Sequence, residues 1–205
     1  MEHLRAHATT WRVSDDLWDR WDDVEAQFAR LARWAPHTGP DGWADADILP
    51  LGHIGLRAER GEDRHCRLTP AEQRTLMTLW VMARSPLMMG ADLPTSSPET
   101  IALLTNDAVL GVLRDSRGNA EVLREGYLVL WAARSMHDGV RYAAAFHLGA
   151  APATVTRRLD TLGGAPGHRV VDLWTGVAVA VDDGHLHLAV EPHGSRLLRL
   201  ESPTP

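Results

Sequence analysis

The feature that most limits what this chain can become is a change of rhythm near its middle. Before about Arg117, helices with clear start signals alternate with short apolar runs. After it, β-rich runs recur about every 8 to 12 residues between turn residues. The first pattern is that of a parallel α/β sheet or barrel, the second that of an antiparallel β-sandwich. The expectation is therefore α/β plus all-β in two domains, residues 1–116 and 117–205, with the boundary between Asp115 and Asn119.

Within the first part, Trp18, Trp21, Val24, Phe28, Leu31 and Ala35 fall at steps of three and four, which predicts a helix over 17–35 with Asp16 at its entrance. A turn-rich stretch, "APHTGPDGWADAD", follows, and "ILPLG" reads as a short strand stopped by Pro50 and Gly52. In "LTPAEQ", Thr69 takes the N-cap, Pro70 the first helical position and Glu72 the third, a capping box opening a helix that runs to about Ser85. "PLMMGAD" reads as another buried strand, Ser97 and Pro98 open a further helix, and "NDAVLGVLRD" adds helical turns. In the second part the strands are "YLVLWAARS", "VRYAAAFHLG", "ATVTRRLDTL", "RVVDLWTG", "VAVAV", "LHLAV" and "RLLRLE", with a hairpin turn in "DDG" at 182–184.

Composition excludes several classes. At 44% hydrophobic and 23% charged, the 205 residues suit a soluble globular protein. A net charge of -6 with no basic cluster argues against nucleic-acid or membrane partners. All 21 basic residues are arginine and they are scattered. Cys66 is the single cysteine, so no intrachain disulfide forms. The first ten residues lack the apolar core of a signal peptide, and no stretch approaches the length of apolar residues that spans a bilayer. The phosphate loop, the G-x-S-x-G elbow and the H-E-x-x-H helix are all missing. His185 and His187 share a strand face without a third ligand. Asp41, Asp45 and Asp47 alternate, but "ILPL" stands where a calcium loop continues to its glutamate. No metal or cofactor is expected.

What remains is a set of carboxylates at strand ends with tryptophans nearby. In an α/β barrel, catalytic groups project from the carboxyl ends of strands, which suits Asp16, Asp45 and Asp47. Trp11 and Trp43 are candidates to flank the apolar face of a sugar. The structural alternatives are equally concrete. Asp15 or Asp16 caps the helix that follows, and Asp45 and Asp47 make a polar turn.

Four blocks carry a resemblance. "WRVSDDLWDRW", "GWADADILPLG", "LTPAEQRTLMTLWVMARSPLMMGADL" and "LLTNDAVLGVLRD", in this order, resemble the carboxyl-terminal part of glycoside hydrolase family 27, the α-galactosidase or melibiase family. "RVVDLWTG" and "EPHGSRLLRL" look like the last strands of its β domain. The resemblance implies the last three units of a (β/α)8 barrel followed by an antiparallel sandwich, and hydrolysis of terminal α-galactosides with retention. Such chemistry uses two carboxyl groups, one attacking the anomeric carbon and one alternating as acid and base. On the family's W-R-x-x-x-D pattern, Asp16 matches the acid/base and Arg12 a sugar ligand. On its G-W-N-D-P-D pattern, Asp47 lies beside the sugar and Asp45 is supporting, with Ala44 and Ala46 departing from the pattern.

The family's nucleophile lies on an earlier strand that would precede Met1. A whole barrel takes about 250 residues, more than stand ahead of the β domain here. The chain is therefore expected to be a carboxyl-terminal fragment that pairs with a complementary amino-terminal barrel half, its localisation unreadable. The alternative is a catalytically inactive remnant that binds carbohydrate or docks a partner.

Overall fold

A computed structural model describes residues 2–40, 42–57, 61–137 and 139–203. Asp41, one of the aspartates in the calcium motif, lies outside the described residues. The chain divides into two compact units, Met1–Asn106 and Asp107–Pro205.

The first unit opens with α1 (Glu2–His7) and β1 (Thr10–Arg12), followed by α2 (Trp21–Trp34), β2 (Trp43–Asp45), β3 (His53–Ile54), β4 (Arg64–His65), α3 (Pro70–Ala83) and α4 (Pro98–Leu104). β1 and β2 pair in parallel, Thr10 opposite Trp43, Trp11 opposite Ala44 and Arg12 opposite Asp45. The runs "ILPLG" and "PLMMGAD" do not form strands of any length. They meet at one parallel bridge, Leu49 to Met89, with the Leu49 N–H donating to Met88 O and the Gly90 N–H to Leu49 O. Parallel pairing is what the helix–strand alternation called for, but Pro50 and Pro86 remove ladder donors and keep it short.

α3 begins as its sequence requires. The Thr69 side chain accepts from the Glu72 N–H while the Glu72 carboxylate accepts from the Thr69 N–H. The helix ends at Arg84, a left-handed residue with φ 56°. Its buried residues include Leu76, Leu79, Trp80 and Val81 as well as Thr75 and Thr78, so it is covered on nearly every side. Ser97 caps α4 through the Thr100 N–H.

The helix expected over 17–35 starts only at Trp21, from the extended residue Arg20. Asp15 and Asp16 therefore do not stand at the N-cap of α2. The intervening residues are committed elsewhere: the Leu17 N–H to Asp47, the Trp18 N–H to Asp23, and the Asp19 carboxylate to Arg64. Those distant bonds replace the first helical turn that periodicity alone would have assigned.

The second unit contains α5 (Asp107–Asp115), β5 (Ser116–Glu125), β6 (Leu128–Ser135), β7 (Val140–His147), β8 (Ala153–Arg158), β9 (Arg169–Asp172), β10 (Ala178–Val179), β11 (Val181–Asp182), β12 (His185–Val190) and β13 (Ser195–Glu201). One sheet has the order β10-β9-β13-β7-β6-β5 and the other β11-β12-β8. All of these pairs are antiparallel. Leu130, Ala143 and Leu198 of the larger sheet share a core with Val155, Leu186 and Leu188 of the smaller one, which makes a sandwich. Asp182 pairs with His185, so Asp183 and Gly184 form the two-residue turn, both with positive φ. β5 had no alternation to announce it. It is polar on most positions and lies at the sheet's edge.

Candidate active site

Arg12 ends β1 and Asp45 ends β2, directly opposite each other at the carboxyl end of the parallel pair. The chain then turns through Ala46 into Asp47, whose φ is 85°, a region that costs an ordinary residue about 1–2 kcal/mol. Three buried hydrogen bonds hold that turn. The Asp47 N–H donates to Asp45 Oδ1 at 2.8 Å, the Ala46 N–H to Ser85 Oγ at 3.0 Å, and the Trp80 indole N–H to Asp47 O at 3.1 Å.

The turn aims the Asp47 carboxylate at Arg12. Its Oδ1 takes the Arg12 guanidinium at 2.9 Å and its Oδ2 takes the Leu17 N–H at 2.7 Å. Arg12 Nη2 lies 3.6 Å from Asp16 Oδ1 and donates to Ser14 O at 3.3 Å. One permanently charged group thus stands between two carboxylates. They differ sharply in setting, for the Asp47 side chain is 7% exposed and that of Asp16 61%.

Of the residues singled out in the sequence, Arg12, Asp16 and Asp47 converge. Asp45 stands behind them, its carboxylate on the Asp47 N–H and its carbonyl on the Val13 N–H. The two tryptophans pack on other side chains. The Trp11 ring is buried, with its centroid 6.1 Å from that of Trp34, and a Cβ added at Gly42 would meet it at 2.3 Å. Trp43 lies at the opposite end of β2 from Asp45, under the Arg84 guanidinium at 4.4 Å.

Sequence reasoning missed Ser85, Trp80 and the Asp19–Arg64 pair. The Asp19 side chain is 1% exposed and accepts Arg64 Nη2 at 2.6 Å, Arg64 Nε at 3.1 Å and the Arg67 N–H at 3.0 Å. Burial by itself would raise its pKa. The Arg64 fork and the Arg67 N–H outweigh burial and hold the carboxyl below the usual aspartate range. Bonds spanning 30 to 48 residues leave no local pattern to find. The Cys66 thiol, by contrast, is pushed up to about 11 chiefly by burial. Among the described residues no group of three His, Cys, Asp or Glu is placed to hold a metal ion, and no helix is long and apolar enough to cross a membrane.

An exposed carboxyl, a guanidinium and a second, buried carboxylate thus meet at one point. Comparison with known proteins shows the family. Residues 1–115 match the family model described as alpha galactosidase A, and residues 125–200 that of the alpha galactosidase C-terminal beta sandwich domain. The chain belongs to glycoside hydrolase family 27, the α-galactosidase or melibiase family, whose architecture is a barrel followed by a β-sandwich.

An α-galactosidase of Oryza sativa subsp. japonica is 27% identical over 92% of this chain and 43% of its own length. Alpha-galactosidase 2 of Arabidopsis thaliana is 28% identical over 93% of this chain and 46% of its own. Among solved structures, a β-L-arabinopyranosidase of the same family from Geobacillus stearothermophilus is 37% identical, with a TM-score of 0.92 over 98% of this chain and 46% of that one. The chain thus spans about half the length of the relatives it matches.

Proposed function

We propose that this chain carries the acid/base half of a retaining glycosidase site acting on terminal α-D-galactosides. Asp16 donates a proton to the departing glycosidic oxygen and then takes one from the water that frees the sugar. Arg12 holds ring hydroxyls and Asp47 accepts from them, while Asp45, Trp11 and Trp43 support the scaffold. Residues 1–116 form the last three β/α units of a (β/α)8 barrel and 117–205 the sandwich, a division that the spans of the two family matches favour.

The observation that carries this reading is Arg12 bridging Asp16 and Asp47 at the carboxyl end of a parallel pair. The attacking carboxylate comes from an amino-terminal barrel half outside these 205 residues. Asp47 is a poor nucleophile, because Arg12 and the Leu17 N–H occupy both of its oxygens. A second reading has one specific observation behind it, the 37% identity to the arabinopyranosidase. A β-L-arabinopyranoside has the ring stereochemistry of an α-D-galactoside without its hydroxymethyl group, so the same residues serve either.

The test is release of nitrophenol from nitrophenyl α-D-galactoside and nitrophenyl β-L-arabinopyranoside, by the 205-residue chain alone and with an amino-terminal barrel half added. The expected result is no turnover by the chain alone, and turnover on addition that Asp16→Asn lowers by at least about a hundredfold. Turnover by the chain alone would mean that the nucleophile lies within it. An assembled pair that hydrolyses neither substrate, or is indifferent to Asp16→Asn, would overturn the assignment.

A further inference from the structure

A cavity of about 390 Å³ lies in the first unit, between the segment from His53 to Arg57 and the segment from Met89 to Asp92, with Trp18 as a third wall. Its size is within the range of sites that enclose a small ligand, about 300–1,000 Å³. One chain link and one contact place it beside the candidate active site. Trp18 follows Asp16 by two residues, beyond Leu17, whose N–H is tied to Asp47. Gly90, in the cavity's lining, packs on Ile48, the residue after Asp47, so closely that a Cβ on it would meet Ile48 at 2.5 Å.

The walls are fixed without any ligand. The His53 ring bonds to the Asp63 carboxylate through Nε2 and to Thr95 Oγ1 through Nδ1, the latter at 2.6 Å. The Asp92 N–H donates to His53 O, joining the two segments. The cavity is chemically two-sided. Trp18, Ile54, Leu56 and Met89 offer an aromatic and apolar surface, and Arg57 and Asp92 offer polar groups at its margin. Asp92 Oδ2 is taken by Thr95, and among the described residues no donor meets Oδ1.

We propose that this cavity is the subsite for the leaving group, and that it takes a second sugar ring, stacked on Trp18 with its hydroxyls on Asp92 and Arg57. The proposal rests on Asp16 as the acid/base. A general acid must lie within hydrogen-bond reach of the oxygen that departs, so the leaving group sits on its side of the bond. The loop that carries Asp16 continues directly into the cavity's wall. A sugar ring presents an apolar face and a polar rim, and Trp18 with Asp92 and Arg57 matches both.

The test is calorimetric titration of the 205-residue chain with melibiose, which carries a glucose ring as leaving group, beside methyl α-D-galactoside, which carries only a methyl. Melibiose is expected to bind roughly three- to tenfold more tightly. Trp18→Ala should erase that advantage and leave methyl galactoside unchanged, which also shows that the variant folds. Leu56→Arg, at a position 49% exposed on the cavity's rim, should act the same way by filling it. Equal affinities, or an advantage that survives both variants, would overturn the subsite while leaving the galactoside reading intact. If neither glycoside binds the chain, the subsite falls, while the galactoside reading stands or falls by the turnover of the assembled pair.

Discussion

The two units of this chain are held together in different ways. In the sandwich, strands of six to ten residues such as β5, β6, β7, β8, β12 and β13 zip into regular antiparallel ladders, and the two sheets close on a shared apolar core. In the α/β unit the strands are two or three residues long, and a single bridge joins Leu49 to Met89. It too buries an apolar core, with Phe28, Leu31, Leu76 and Trp80 in it, but its loops are placed by side chains bonded to distant backbone: Asp47 to Leu17, Ser85 to Ala46, Asp19 to Arg67. A ladder stabilises itself one pair at a time, so losing one side chain weakens it by degrees. A lattice of single buried polar contacts loses a whole junction when one carboxylate goes.

The sharpest way to break that comparison is Asp19→Ala. Removing one partner of a buried pair takes the shared acceptor from the Arg64 fork and the Arg67 N–H and is expected to cost about 3–5 kcal/mol, read as a fall in the denaturation midpoint of the α/β unit. The same pair sets an acid limit. The folded Asp19 carboxyl has a lowered pKa, so its contribution is complete above the ordinary aspartate value and is lost as pH falls through the folded one. Wild type and Asp19→Ala should therefore converge in stability as pH drops below about 4. A gap that widens on acidification would contradict this account of the pair.

Leu198→Ala probes the sandwich in its own terms. The side chain is fully buried in the shared core, and about 2–5 kcal/mol should be lost, with near-ultraviolet circular dichroism reporting the sandwich transition. If its cost fell on the α/β unit instead, the division into two separately held units would be wrong. The mildest change is Thr69→Ala. It removes half of the capping box at α3 and should lower stability by about 1 kcal/mol, visible as a small shift in thermal midpoint. A loss several times larger would show that the start of α3 bears on the site loops more directly than its cap does.

How much of this was legible in the sequence follows the same division. The ladders were, because alternation between apolar and polar residues is written into each strand, and β12 shows it residue by residue. The exception, β5, is an edge strand with polar residues on most positions, so no alternation marks it. The capping box at Thr69 and the turn at Asp183–Gly184 were legible for the same reason, since their bonds close within four residues. Arg12, Asp16 and Asp47 came from the resemblance of their blocks to a family, and from spacing alone they stood level with a cap and a polar turn.

The sequence by itself determined the α/β-then-β order, the capped helices, the hairpin turn and the identity of the charged residues worth attention. Only the tertiary structure decided that α2 begins at Trp21, that Trp11 packs on Trp34 and Trp43 lies under Arg84, and that Asp47 is spent on Arg12 and the Leu17 N–H. The physical reason is range. Periodicity, caps and turns are contests between neighbours in the chain. The direction of a carboxylate is settled by whichever donor the fold brings to it, here from as far as 48 residues away.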